Sequence, residues 1–388
     1  MSDIRVLNCI TGLNVGGAEY MLARFARGLS GNRYRPSVLS LMTPGPVAES
    51  MALSEVDIQT IGMPQARPRL NSLWRLRQAI RTTEPALLHG WMYHGNIAAS
   101  VGALMHRRQP VIWSIHHSVA NIDAEKRMTR RLITLGARLS PWTAAISYCS
   151  RVAADQHEAL GFDALKRHVI PNGIDCSEFQ PLNGAKDRLH QLFNIPPTRS
   201  IIGNVARAHP MKDHAAFVKA LAVLRDRGYD VHGLIIGDGH ESGAARQTAR
   251  DLGMDGRLTT SGARSDINAL LPGLDVFMLS SSWGEAFPLC VAEAMACGVP
   301  AAATDVGDCA WLVGDLELIS EPNNAVAQAE VVARLLSLCP ADRRQLGMAA
   351  RRRVIENFSL ATYVARHLKL YEMALHRSAS YRRDPWNR

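Results

Sequence analysis

Four short stretches of this chain combine residue types that could do chemistry. In Gly203-Asn-Val-Ala-Arg207-Ala-His-Pro-Met-Lys212-Asp-His214, two cations lie five residues apart after an apolar run. Such a pair can clamp a diphosphate, the arginine through its planar fork and the lysine as a point charge; a solvated Arg and Lys is the plainer reading. Glu285 and Glu293 enclose seven residues. Two carboxylates at that spacing can hold hydroxyl-rich parts of one ligand, or work as acid and base as in glycoside hydrolysis. His116-His117 follows the apolar run Val111–Ile115, where a histidine can orient a substrate, move a proton, or simply sit at the surface. Gly12-Leu-Asn-Val-Gly16-Gly17-Ala-Glu19 follows the first apolar run and opens a helical pattern. A backbone there can approach an anion at a helix N-terminus, although the stretch is no Gly-x-Gly-x-x-Gly fingerprint and suits an empty tight turn equally well. His89 and His94 could line the same region or pack structurally, and their spacing is not that of a helical zinc pair.

The elements that must position these residues alternate between short apolar runs and helical patterns. Ile4–Ile10, Ser37–Leu41, Ala86–Leu88, Val111–Ile115 and Trp142–Ile146 read as strands, with a helix from about Ala18 to Leu29. The pattern restarts with Ser200–Val205, a helix over His214–Arg227, and strands at Val231–Ile236, Leu258–Ser261, Val276–Leu279 and Pro300–Ala303. This is the alternation of α/β domains with parallel, doubly wound sheets. We expect one domain over residues 1–180 and another over 199–357, with a linker near Pro181–Thr198 that Pro196-Pro197 stiffens. Ligands of such sheets lie beyond the carboxyl ends of the strands, in a cleft where two domains meet. The four stretches all follow strands.

The 388 residues allow two to three domains, and 47% apolar with 20% charged residues is ordinary globular composition. The chain opens without a recognisable secretory signal and contains no run long and apolar enough to span a bilayer, so a cytoplasmic location is expected. Seven scattered cysteines without a Cys-x-x-Cys pair suggest reduced, buried thiols rather than zinc or redox motifs. The net charge of +9 is uneven: residues 1–175 and 340–388 are basic, and 176–339 are acidic. No RNA-recognition or helix-turn-helix signature accompanies the basic part, so nucleic acid is not expected as a partner. In Lys126–Ser140, Met128, Leu132, Leu135 and Leu139 fall on one helical stripe, while Lys126, Arg127, Arg130 and Arg138 project away from it. That suits a basic helix on an anionic membrane, and it also suits a core-facing helix with a solvated side. Arg67–Arg81 is similarly basic with mixed faces.

The stretch Ser281-Ser-Trp-Gly-Glu285-Ala-Phe-Pro-Leu-Cys-Val-Ala-Glu293-Ala-Met-Ala-Cys-Gly-Val-Pro300 strongly resembles the donor-site signature of glycosyltransferase family 4. Ile170-Pro-Asn-Gly-Ile-Asp175, Arg207 with Lys212, Leu234-Ile-Ile-Gly-Asp-Gly239, Gly262-Ala-Arg-Ser-Asp266 and Val15-Gly-Gly-Ala-Glu19 match that family's other blocks in order, over residues 6 to about 360. The resemblance implies a GT-B fold, two Rossmann-like domains facing across a cleft, with a terminal helix from about 358 returning to the first domain. It implies sugar transfer from a nucleotide-diphosphate donor with retention of anomeric configuration. Arg207 and Lys212 would hold the diphosphate and stabilise the leaving group, and Glu293 would bind the ribose. Glu285 would contact the donor sugar, assisted by backbone near Phe287 and Pro288. His116 would sit near the reacting carbon, ahead of His117, and Gly16 and Gly17 would face the phosphates. The family often has glycine after the first glutamate, where this chain has Ala286, so donor identity stays open. No Asp-x-Asp occurs, so metal-independent transfer without a further cofactor is expected. The basic first domain suggests a lipid-linked or cell-envelope saccharide acceptor in polysaccharide assembly, at the inner face of the cytoplasmic membrane. A nucleotide-sugar epimerase and a catalytically silent binding subunit share the fold and remain rivals.

Overall fold

The computed structural model describes residues 3–14, 16–52, 56–63, 70–241 and 243–383. The chain divides into two units, residues 1–173 with 360–388 and residues 174–359.

In the first unit the elements run β1 (Ile4–Ile10), α1 (Gly17–Gly28), β2 (Tyr34–Ser40), α2 (Pro46–Ala52), β3 (Asp57–Thr60), α3 (Leu70–Thr83), β4 (Leu87–Trp91), α4 (Met92–Met105), β5 (Val111–Ile115), α5 (Arg127–Leu139), β6 (Ala145–Tyr148), α6 (Arg151–Ala159) and β7 (Arg167–Val169). The seven strands pair in parallel in the order β3-β2-β1-β4-β5-β6-β7. All five residues of β4 and of β5 are buried, as strands covered on both faces must be. Right-handed crossovers place α1 and α2 on one face and α3, α4 and α5 on the other, because the strand order runs in opposite directions from β1.

The second unit continues with α7 (Ala185–Leu192), β8 (Ser200–Val205), α8 (His214–Asp226), β9 (Val231–Ile236), α9 (Ala244–Asp251), β10 (Leu258–Ser261), α10 (Ile267–Leu270), β11 (Val276–Leu279), α11 (Leu289–Ala296), β12 (Ala301–Thr304), α12 (Cys309–Val313), β13 (Ile319–Ser320), α13 (Ala325–Ser337) and α14 (Pro340–Phe358). Its six parallel strands are ordered β10-β9-β8-β11-β12-β13, so the direction of winding reverses between β8 and β11. Both units are therefore doubly wound α/β domains.

Two sequence expectations change. The segment Pro181–Thr198 is no free linker. It carries α7, whose Leu189 is fully buried, and Ile195 packs into the same core. Gly184 at the start of that helix and Pro196-Pro197 beyond its end punctuate a short helix rather than a hinge. The change of unit falls instead at Gly173 and Ile174 on the way out, and at Ser359 and Leu360 on the way back.

The last helix, α15 (Leu360–Arg383), belongs to the first unit and packs beside α1. Its Tyr363, His367 and Tyr371 are buried, spaced four residues apart on one helical face. The Tyr371 hydroxyl meets His89 Nδ1 at 2.8 Å, and His89 Nε2 meets Ser114 Oγ at 2.7 Å. His89 is thus a fully buried packing residue that ties the returning helix to β4 and β5. Residues 67–69 of the basic Arg67–Arg81 stretch lie outside the described residues; the remainder lies in α3.

Candidate donor site and the histidine of the first unit

At the point where the winding reverses in the second unit, the loops leaving β8 and β11 lie side by side. This is where a doubly wound sheet offers room for a ligand. The β8 loop carries Arg207 and Lys212, and the β11 loop carries Glu285.

Main-chain and side-chain bonds stitch the two loops together. Ser282 N–H donates to the Met211 carbonyl at 2.8 Å, and Ser280 Oγ donates to the Lys212 carbonyl at 2.8 Å. Gly284 takes a φ of +78°, and a Cβ there would crowd the Met211 sulfur. Gly307, at φ +62°, backs the same loop, and a Cβ would collide with the Glu285 and Ala286 carbonyls. Ser281 is anchored from beneath, its carbonyl accepting from Thr304 Oγ1 at 2.6 Å.

This scaffold brings Lys212 and Glu285 together. Lys212 Nζ lies 2.5 Å from Glu285 Oε1, and Ser281 Oγ donates to that oxygen at 2.6 Å. Only 16% of the Lys212 side chain and 8% of the Glu285 side chain is exposed. Burial works against the ammonium, but the adjacent carboxylate outweighs it, and the Lys212 pKa is raised. The lysine therefore stays charged while half-hidden from water.

Arg207 is exposed on the same loop. Glu293 lies half-buried on α11. Burial drives the neighbouring Cys290 thiol up to about 12, and Lys212, Glu285 and Glu293 all act on it electrostatically. The two glutamates and the lysine thus share one neighbourhood around a neutral thiol. Phe287 differs from a ligand-facing residue. Its ring is buried in the core, 5.3 Å from that of Phe358, so only its backbone is available. Pro288 is the N-cap residue of α11, and no side chain caps that helix end.

Behind the cations lies a network that residue spacing did not suggest. Asn204 Nδ2 donates to the Met278 carbonyl at 2.8 Å, and His214 Nε2 donates to Asn204 Oδ1 at 3.2 Å. His240 Nε2 donates to the Ala206 carbonyl at 2.8 Å, with its ring edge-on to His214. Burial holds His214 at about 3, so this support is neutral. A polar Asn in the otherwise apolar run Ser200–Val205 was the available signal.

In the first unit His116 follows directly after β5. Its Nδ1 faces Asn172 Oδ1 at 2.9 Å, and its ring stacks on Trp91 with centroids 5.3 Å apart and planes 8° apart. An amide oxygen only accepts, so Nδ1 carries the proton and Nε2 keeps its lone pair. Burial lowers the His116 pKa to about 4, against a partial rise from the Asn172 bond. His117 turns elsewhere, to Tyr93 at 3.1 Å and Glu125 at 3.3 Å. His94 lies on α4, away from this pair in sequence. Gly16 is extended at the N-terminus of α1, where a Cβ would meet the Glu19 carboxylate; at Gly17 a Cβ would meet nothing. Neither glycine is held by a left-handed backbone. Val15 lies outside the described residues.

Comparison with known proteins agrees with this division. Residues 15–178 match the family described as Glycosyltransferase Family 4, and residues 185–353 match Glycosyl transferases group 1. The chain is 28% identical over 320 residues to the putative glycosyltransferase EpsF of Bacillus subtilis (strain 168), covering 78% of this chain and 80% of that protein. It is 26% identical over 309 residues to the MMP alpha-(1->4)-mannosyltransferase of Mycolicibacterium hassiacum, covering 74% and 71%. Among solved structures, a glycosyltransferase from Rickettsia africae ESF-5 superposes with a TM-score of 0.82 at 20% identity, covering 97% of this chain and 99% of that one. Anabaena Alr3699/HepE in complex with UDP-glucose gives 0.79 at 19% identity, covering 97% and 100%. Two doubly wound parallel sheets, the paired loops of the second unit and both family matches converge: the chain belongs to glycosyltransferase family 4 and is a transferase of the GT-B type.

Proposed function

We propose that the protein is a retaining, metal-independent glycosyltransferase. It takes a hexose from a nucleotide-diphosphate sugar and places it on a lipid-linked or cell-envelope saccharide in polysaccharide assembly, at the inner face of the cytoplasmic membrane. The observation that carries the reading is the charged, half-hidden Lys212 against Glu285 at the switch point of the second sheet.

In the reaction the bond between the anomeric carbon and the diphosphate oxygen breaks, a bond to the acceptor oxygen forms, and the acceptor's hydroxyl proton passes to the departing diphosphate. Negative charge grows on the diphosphate. Lys212 and Arg207 meet it, since a cation already in position needs no reorganisation at that moment. The uncapped N-terminus of α11 adds backbone N–H groups of the same sign. Glu285 accepts from donor-sugar hydroxyls, and Glu293 accepts from the ribose. Gly16 and Gly17, without side chains, would let phosphate oxygens approach the backbone at the start of α1. His116 is neutral, and it offers Nε2 as an acceptor to a sugar hydroxyl rather than a positive charge.

Several similar proteins carry names that fit this reading. One is an Escherichia coli UDP-Gal:alpha-D-GlcNAc-diphosphoundecaprenol alpha-1,3-galactosyltransferase, 29% identical over 150 residues. The test is a transfer assay with nucleotide sugars and saccharide acceptors in the presence of a chelator. The anomeric configuration of the product is read by proton NMR. Release of nucleoside diphosphate with the donor's configuration kept is the expected result. Conversion of the donor into another nucleotide sugar without acceptor would assign the chain to the epimerase class instead.

A further inference from the structure

The helix α4 starts on a residue with a left-handed backbone. Met92, the first residue after β4, takes a φ of +60°. A residue with a side chain adopts that conformation at a cost, and it persists where the surroundings over-determine it. Here Asn96, one turn further along α4 and buried, turns its amide nitrogen onto the Gly90 carbonyl at 2.7 Å and the Met92 carbonyl at 3.3 Å. Both neighbours are acceptors, so the nitrogen and not the oxygen of the amide must face them. Gly90 makes this approach possible, because a Cβ there would collide with the Asn96 backbone. The turn from β4 into α4 is thus clamped in a strained shape.

The turn delivers two consecutive side chains to His116. The last paired positions of β4 and β5 are Trp91 and Ser114, so the His116 N–H lies beyond the ladder. It donates to the Met92 sulfur at 3.4 Å. Trp91 lies flat against the His116 ring, with planes 8° apart. The indole is itself fixed. It is fully buried, its Nε1 donates to Asn8 Oδ1 at 3.0 Å, and Asn8 Nδ2 donates to the Ser37 carbonyl at 3.2 Å. It also stacks with His367 of α15, with centroids 6.4 Å and planes 11° apart.

His116 is therefore held by its backbone at Met92, by its ring face at Trp91 and by Nδ1 at Asn172. Among the described residues only Nε2 of this ring is left without a bond. Glycine would adopt the backbone of position 92 without strain, but it would bring no sulfur to the His116 N–H.

We infer that Met92 and Trp91 are positioning residues for His116: the left-handed turn at the start of α4 sets the Met92 sulfur on the His116 N–H and the Trp91 indole against the His116 ring. The inference deepens the proposed function and rests on its reading of His116 as a group that bonds a sugar hydroxyl. A ring used in that way must be held closely, because small displacements at a reacting centre are expensive in rate.

The experiment measures transfer by the full chain unaltered, as Met92→Leu, as His116→Ala and as the double variant. Met92→Leu keeps an apolar side chain of similar size and removes the sulfur. We expect it to lower kcat by about tenfold with the donor KM unchanged, in line with loss of one orienting bond. Once His116 is alanine, the same substitution should cost nothing further. Trp91→Phe keeps a stacking ring, loses the Nε1 bond and should behave alike. A merely structural role would cost the same with and without His116. Equal cost in both backgrounds, or near-normal turnover of Met92→Leu where His116→Ala is impaired, would overturn the inference.

Nitrogen NMR of the full chain carrying isotope-labelled histidine gives a second readout that needs no turnover. The His116 signal is identified by its loss in His116→Ala. We expect one tautomer, protonated at Nδ1, in the unaltered chain, and a mixture of both in Met92→Leu and Trp91→Phe. A His116 signal unchanged in both variants would overturn the inference. If the mixture appears while His116→Ala transfers at full rate, or while the unaltered chain transfers no sugar, the proposed function fails and the positioning stands.

Discussion

Lys212 Nζ and Glu285 Oε1, 73 residues apart in sequence, lie 2.5 Å apart, and Ser281 Oγ donates to the same carboxylate oxygen. The carboxylate keeps the Lys212 ammonium charged at the carboxyl ends of β8 and β11. In the proposed reaction an arriving diphosphate would offer the ammonium a second anionic partner, while the bond from Ser281 holds the Glu285 carboxylate in place. Lys212→Ala should therefore lower kcat by about 100- to 1000-fold, the cost usual for removing one stabiliser of developing charge. Glu285→Gln keeps the bond from Ser281 and should mainly weaken discrimination among donor sugars. Steady-state kinetics with the natural donor checks both, and near-normal turnover of Lys212→Ala would remove the lysine from the mechanism.

Asn172 fixes which nitrogen of His116 carries the proton. Replacing it by alanine should lower kcat/KM by about tenfold through loss of that tautomer, in line with removal of one orienting bond. Asn172→Asp should do something different. A carboxylate beside Nδ1 raises the His116 pKa, so the acid limb of the pH–rate profile should move to higher pH. His89 and His367 also surround this site, and both are held neutral by burial. A profile unchanged in Asn172→Asp would show that His116 does not act in its neutral form.

Buried neutral histidines make stability depend on acid. His116 and His157 titrate at about 4, and His367 at about 3, chiefly because burial disfavours the imidazolium. The unfolded chain takes up protons below about pH 6.5 that the folded chain refuses until these lower values. Stability is thus fully present above pH 6.5 and falls as pH drops from there toward 4. Urea midpoints measured across that window should decline steadily, and a flat profile would contradict the burial of these rings.

The helix α15 completes the first unit. Phe25 meets the rings of Tyr363 at 5.9 Å, His367 at 5.1 Å and Tyr371 at 5.9 Å. A chain ending near Glu356 would expose those partners and strand His89 without its tyrosine. Loss of several large buried aromatic rings, each worth about 3–5 kcal/mol when truncated, exceeds what an ordinary domain can spare. Such a truncation should melt far below the full chain or fail to fold, and wild-type-like melting would refute the role of α15.

Much of the candidate site was legible because its residues announce themselves by place. Arg207, Lys212 and Glu285 follow strands, and a doubly wound sheet puts strand ends together. The 73-residue separation that brings Lys212 to Glu285 was not legible as geometry, since contact depends on which strands neighbour each other at the reversal. Ser281, Asn204 and Asn172 are ordinary residues whose importance appears only as hydrogen-bond partners. The helix α7 hid because Gly184 and Pro196-Pro197 drew the eye to its ends, while Leu189 alone marked its buried side. On α5 the periodicity showed a stripe but not the rotation of the helix, which is decided by how Ile133 and Gly136 fit the core.

The central claim is that the second unit binds a nucleotide-diphosphate sugar through Lys212 and Arg207. It is tested most directly by calorimetric titration of nucleoside diphosphates and nucleotide sugars into the full chain, with chelator and then with magnesium. The account predicts selective binding of one nucleotide that magnesium does not strengthen, and that is weakened in both Arg207→Ala and Lys212→Ala. Binding that appears only with magnesium, or that both variants retain unchanged, would contradict it.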